Sequence, residues 1–120
     1  MQKADGFRRM ARELGYRSRA AFKLLEINKR YRLMKKGDVV VDLGAAPGGW
    51  MQVAGQVVGE TGLVLGVDVL PIRRFPKYNL LSIKADLLDP NTPDLILSHL
   101  PRKADVVLSD ASPRISGVWD

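Results

Sequence analysis

Four aspartates occupy comparable places in this 120-residue chain: Asp42, Asp68, Asp86 and Asp110 each lie at or just past the end of a short apolar run. Between the first two runs sits a glycine-rich segment, Gly44-Ala45-Ala46-Pro47-Gly48-Gly49-Trp50. Carboxylates aligned along one sheet edge beside an open turn are suited to accepting from a ligand's hydroxyl and amino groups. A single aspartate after a strand is more often a turn former or a helix cap; four along one edge are harder to explain that way.

The turn is not built for phosphate. Gly44 and Gly49 satisfy the glycines of a phosphate loop, but Trp50 and Met51 stand where its Lys and hydroxyl belong. The dinucleotide fingerprint G-x-G-x-x-G fails too, because Ala46 replaces the glycine that admits a pyrophosphate. What remains is a turn in which Gly44, Gly48 and Gly49 permit close approach, and a helix start near Pro47 whose free N–H groups suit a carboxylate. Asp68 follows Gly48 by 20 residues, the separation of a side chain that accepts from both hydroxyls of a ribose. A ribose, a carboxylate and no phosphate partner describe S-adenosylmethionine. On this reading Gly48 and Trp50 meet the ligand, Asp42 supports the loop and Asp86 holds the adenine. A tight turn that serves packing alone is the plainer alternative.

The elements that would position these residues follow from hydrophobic pattern. Residues 39–43 and 63–67 are near-continuous apolar runs, as in strands buried on both faces of a parallel sheet. Residues 80–84 and 104–109 give a third and a fourth strand. Ser18 is placed to cap a helix running to about residue 33, Pro47 to open one running to about residue 58, and Thr92 to begin one ending near residue 100. The two prolines of residues 71–76 argue for a loop. Alternating strands and helices predict βαβ units and a doubly wound α/β sheet, all in one domain.

Composition narrows the setting. The chain has no Cys, which removes disulfides and thiolate chemistry, and no metal-ligand cluster, so no metal is expected. No stretch approaches the ~20 apolar residues that span a bilayer, and a cytoplasmic protein without membrane attachment is expected. Charge is divided unevenly: residues 1–36 carry 12 Lys and Arg against 3 Asp and Glu, residues 37–120 carry 7 against 10. A basic arm on a mildly acidic body suits a nucleic-acid binder, with a solvated helix face as the plainer reading. Lys3, Arg8, Arg9, Arg12, Arg17 and Arg19 are the candidate RNA contacts, and Tyr16 either stacks on a base or packs under the arm. His99 reads as a surface residue.

Four segments together resemble the FtsJ-type ribose 2′-O-methyltransferases, in the branch acting on large-subunit ribosomal RNA. They are Arg17 to Glu26 (RSRAAFKLLE), Asp42 to Trp50 (DLGAAPGGW), Val67 to Pro71 (VDVLP) and Leu108 to Pro113 (LSDASP). The resemblance implies a Rossmann-like methyltransferase fold with a basic N-terminal helix, S-adenosylmethionine as cofactor, and methylation of a uridine ribose in 23S-type RNA. It implies a monomer whose partner is ribosomal RNA, in the setting of the large ribosomal subunit. It divides the chain into an RNA-contacting arm and helix, 1–36, and the cofactor-binding half, 37–120. Of the family's Lys-Asp-Lys-Glu set, Lys23 matches the first Lys and Asp110 the Asp, which also borders the cofactor. The second Lys and the Glu belong to later strands beyond residue 120, so the chain alone is expected to be inactive or very weak. A transfer-RNA ribose methyltransferase and a non-catalytic RNA-binding module that keeps the fold are the alternatives. By pattern alone Lys23 is a surface residue paired with Glu26.

Overall fold

The computed structural model describes residues 3–109 and forms a four-stranded, wholly parallel sheet in the order β3-β2-β1-β4. Strand β1, Val39–Leu43, lies between β2, Leu63–Asp68, and β4, Val106–Ser109; strand β3, Leu80–Lys84, forms the far edge. Val39 to Leu43 pair in register with Leu63 to Val67, and Val40 to Leu43 with Val106 to Ser109. Asp110 and the residues after it lie outside the described residues.

Successive residues of each strand point to opposite faces, and the core divides accordingly. Val40 and Val64 meet one helical layer, which comprises α2, Ala20–Tyr31, and α3, Gly49–Val58. Val41, Leu65 and Val67 meet Ile96 on the other face, where α4, Thr92–Ser98, crosses from β3 to β4. The predicted doubly wound architecture is therefore present. Its strand order turns back between β1 and β4, the place where open α/β sheets take ligands beyond the carboxyl ends of their strands.

Several boundaries differ from the pattern. Helix α3 begins at Gly49 rather than near Pro47, because Gly48 adopts φ +115° at the N-cap. Ser18 does not cap α2: Arg19 holds the N-cap position and no side chain bonds there. Helix α2 ends at Tyr31, where Arg32 turns left-handed, its N–H donates to the Asn28 carbonyl, and Asn28 Oδ1 accepts from the Met34 N–H. The N-terminal arm is itself a helix, α1, Lys3–Glu13. It closes in a Schellman pair, with Tyr16 N donating to Ala11 O and Gly15 N to Arg12 O around Gly15 at φ +83°.

Candidate functional site

The glycine turn runs from the end of β1 to the start of α3 and is tied to the end of β2. Gly44 N and Ala45 N both donate to Val67 O, at 2.7 and 3.1 Å. Ala46 N donates to Asp68 Oδ2 at 2.9 Å, while the other oxygen, Oδ1, accepts from Leu70 N at 3.0 Å. Asp68 thereby fixes the turn and the first step of the loop after β2. The N–H that a pyrophosphate would need at residue 46 is already committed to a carboxylate. An ionised carboxylate has about four acceptor positions, so Asp68, half-buried, keeps capacity for a ligand's hydroxyls.

The three glycines divide in role. At Gly48 a Cβ would lie 2.9 Å from Phe75 Cζ and 3.0 Å from Arg17 Nη1; at Gly49 it would lie 2.2 Å from Ser18 Oγ. Those two glycines admit the protein's own side chains, where sequence reasoning had them opening space for a ligand. Gly44, exposed at φ +74°, is the one whose missing side chain leaves open space.

Beside the turn is a cavity of about 240 Å³, lined by Asp42, Gly44, Pro47, Gly49 and Trp50 together with Ser18 and Ala20. Asp42 is buried inside β1 opposite Gly66. Trp50 donates from Nε1 to Ala20 O at 2.8 Å, joining α3 to α2 across the cavity. Asp68 and Asp86 are not in its wall. Asp86 is exposed two residues past β3, where its Oδ1 accepts from Leu88 N and its carbonyl accepts from the Thr92 hydroxyl. A ligand using all these groups would start in the cavity and lie along the strand ends.

Lys23 is exposed on α2, one turn beyond Ala20 on the same helix face. It has no ion pair with Glu26: among the described residues the single ion pair is Arg102–Asp105. Asp110, its expected catalytic companion, lies outside the described residues.

Arg17 is not a free surface cation. Its Nη1 donates to Pro47 O at 3.1 Å and its Nη2 to Arg74 O at 3.3 Å, and the guanidinium lies 3.6 Å from the Phe75 ring centroid. Burial, and then the like charge of Arg73, hold its pKa below the usual guanidinium range. Gln52 completes the bracket, accepting from Arg17 N at 2.7 Å and donating to Gly15 O at 2.9 Å. Neither Gln52 nor Phe75 was singled out from sequence; a polar residue one turn into α3 was the only local signal. Arg9, Arg12 and Arg19 are exposed, and of the Lys3 and Arg8 side chains nothing is described. Tyr16 packs: its hydroxyl donates to Gln56 Oε1 at 3.1 Å and its ring meets Phe22 edge-on at 5.7 Å. No helix among the described residues is long and apolar enough to cross a membrane.

A parallel sheet with this switch point and a glycine turn stripped of phosphate-binding positions defines a Rossmann-like α/β protein of the methyltransferase class. The FtsJ-like methyltransferase family matches residues 16–120, and the chain belongs to that family. It is 52% identical over 119 residues to the ribosomal RNA large subunit methyltransferase E of Methanothermobacter thermautotrophicus, covering 99% of this chain and 56% of that one. The namesake from Methanocaldococcus jannaschii is 46% identical over 122 residues, with 99% of this chain and 50% of that one covered. A crystal structure of a Plasmodium falciparum chain described as a ribosomal RNA methyltransferase superposes with a TM-score of 0.70 at 30% identity, covering 81% of this chain and 57% of that one. The chain spans about half the length of the curated relatives it matches.

Proposed function

We propose that this chain carries the cofactor-binding part of an S-adenosylmethionine-dependent RNA ribose 2′-O-methyltransferase acting on large-subunit ribosomal RNA, a uridine being the expected target. The observation that carries the reading is the state of the glycine turn, where Asp68 takes the Ala46 N–H and only Gly44 stays open. The residues fit the cofactor. Gly44 and the unbonded first N–H groups of α3 offer a carboxylate its place, Asp68 retains acceptors for ribose hydroxyls, and Asp86 lies farther along the edge for the adenine. The relatives' common description, ribosomal RNA large subunit methyltransferase E, supports the choice of RNA.

S-adenosylmethionine, when bound, supplies an electrophilic methyl group on a sulfonium. The chain's own residues hold that ligand and bring a ribose hydroxyl into line with it. Lys23 is assigned to the hydroxyl and its proton, with Asp110 orienting the amine. Residues 1–36 meet the RNA backbone through Lys3, Arg8, Arg9, Arg12 and Arg19, while Arg17 and Trp50 join that arm to the cofactor turn. The working partner is ribosomal RNA or the large ribosomal subunit, met by a monomer in the cytoplasm.

Calorimetric titration with S-adenosylmethionine tests the cofactor. One-to-one binding is expected, and a chain shown to be folded that releases no heat of binding rejects the reading. Mapping ribose methylation in ribosomal and transfer RNA from cells lacking the gene tests the substrate, with loss of a mark in large-subunit RNA expected.

A further inference from the structure

The body's remaining basicity is concentrated in one place. Of the seven Lys and Arg in residues 37–120, four lie between positions 73 and 84, and no Asp or Glu interrupts residues 69–85. This segment is the loop after β2 together with edge strand β3. It borders a cleft of about 820 Å³, whose wall includes Arg74, Lys77, Tyr78, Leu81 and Ser82. Among the described residues none of the four cations is in an ion pair.

Tyr78 stands at the rim with 75% of its surface exposed, yet it is held: its hydroxyl donates to the Glu60 carbonyl. An exposed aromatic ring fixed by its polar end offers a stacking platform with little rotamer freedom left to lose. The cleft is also linked to the N-terminal arm. The Arg74 carbonyl accepts from Arg17 Nη2, and Arg73 is near enough to Arg17 to repel its charge. Exposed cations thus run from Arg9 and Arg12 on α1, past Arg17, to Arg73, Arg74 and Lys77.

We propose that the β3-edge cleft is a second RNA-binding surface, in which Arg74 and Lys77 hold the phosphate backbone of a single-stranded segment and Tyr78 stacks on one of its bases. The inference rests on the RNA reading given above and adds a surface to it away from the glycine turn. Positive charge with an exposed aromatic and no interleaved acid is the pattern that recognises single strands without sequence preference.

The test uses the full chain and a fluorescent oligouridylate of about 12 nucleotides, read by anisotropy over a range of salt. Arg74→Glu with Lys77→Glu is expected to weaken binding at least about tenfold and to lower the salt slope by about one to two. Tyr78→Ala, which changes no charge, is expected to weaken it about fivefold or more and to abolish photocrosslinking at that residue. Lys103→Glu, outside residues 1–36 and outside the cleft wall, serves as control for the equal charge change Lys77→Glu made alone, and thermal melts show that each variant folds. The proposal is overturned if Lys103→Glu weakens binding as much as Lys77→Glu does. It is equally overturned if both cleft variants bind like the parent while Arg9→Glu with Arg12→Glu loses affinity, the result expected of a cleft that docks a polypeptide instead. A parent chain that binds no RNA defeats the underlying RNA reading, and that outcome is distinct from either of these.

Discussion

The two faces of the sheet are finished to different degrees. On the α3 face, Val40, Val64, Met51, Val53 and Val58 are fully enclosed, and Leu24 of α2 closes the layer. On the α4 face the strand residues Val41, Leu65 and Val67 are buried, but Ile96 and Leu100 are only partly covered and Leu97 is 55% exposed. An apolar groove of about 410 Å³ runs there between α4 and the strands. The sealed face is the one that carries the glycine turn and the bracket from Arg17, so rigidity is placed under the candidate site. Met51→Ala should therefore cost about 3 kcal/mol, since it empties a fully enclosed position against β2. Ile96→Ala should cost about 1 kcal/mol or less, because its surroundings are already open to water. Urea unfolding of both variants checks the contrast, and equal losses would mean that the α4 face is covered in solution.

A sharper probe of the sealed side is the contact between α3 and the loop before α2. Gly49→Ala pushes a methyl group to 2.2 Å from Ser18 Oγ. Something must shift, at a cost of about 2 kcal/mol by the usual scale of overpacking. Ser18→Ala removes that oxygen and leaves Ser18 N at 3.3 Å and Cβ at 3.4 Å, so the double variant should recover most of the loss. A double-mutant cycle in thermal melts gives the coupling directly. Additive losses would show that the turn yields without regard to Ser18.

Legibility in the sequence followed how far each determinant lies along the chain. Strand β1 falls on the residues expected, because an apolar run buried on both faces announces itself locally, and β3 does so as well, although only Leu80 of that edge strand is buried. Strand β4 begins two residues later than its run, at Val106, where Asp105 just before it bonds Val39 through its backbone N–H and its carboxylate. Helix α1 went unread as a helix because its residues are mostly charged, although Gly15 after Arg12 is an ordinary C-terminal signal. At the site, residue types identified the turn and its lack of phosphate positions. They did not reveal that Gly48 makes room for Phe75 and Arg17, and Gly49 for Ser18, partners 27 to 31 residues away in sequence. Nor could the basic pattern separate the exposed Arg9, Arg12 and Arg19 from Arg17, whose hydrogen bonds are made to Pro47 and Arg74.

Asp68 stands where the rigid turn meets the open strand ends. Asp68→Asn keeps one acceptor oxygen but turns an NH2 group toward either Ala46 N or Leu70 N, leaving one backbone donor without its partner. A loss of about 1 kcal/mol in stability is expected. If the same carboxylate also accepts from a ribose, S-adenosylmethionine affinity should fall further, by about tenfold or more. Calorimetry beside urea unfolding separates the two effects. A variant that loses stability but binds as before would make Asp68 a structural tie alone.

The smallest expected effect concerns how β4, the strand bordering the open face, is fastened at its start. Asp105 Oδ2 accepts from Val39 N at 2.8 Å and from Arg102 Nη1 at 2.8 Å, and Arg102 Nη2 donates to Gly37 O at 3.1 Å. The Val39 N–H, then the Arg102 guanidinium, hold the Asp105 pKa below the ordinary carboxylate value. A depressed folded-state pKa contributes stability that is complete above the unfolded value of about 3.9 and is lost as pH falls through the folded one. Acid should therefore release this tie of β4 to β1. Asp105→Asn should flatten that acid-side decline slightly without altering it near neutrality beyond the loss of the ion pair, which is exposed and salt-screened. Stability measured from pH 6 down to about pH 3 in both proteins decides the point, and parallel curves would remove Asp105 from the acid response of the open side.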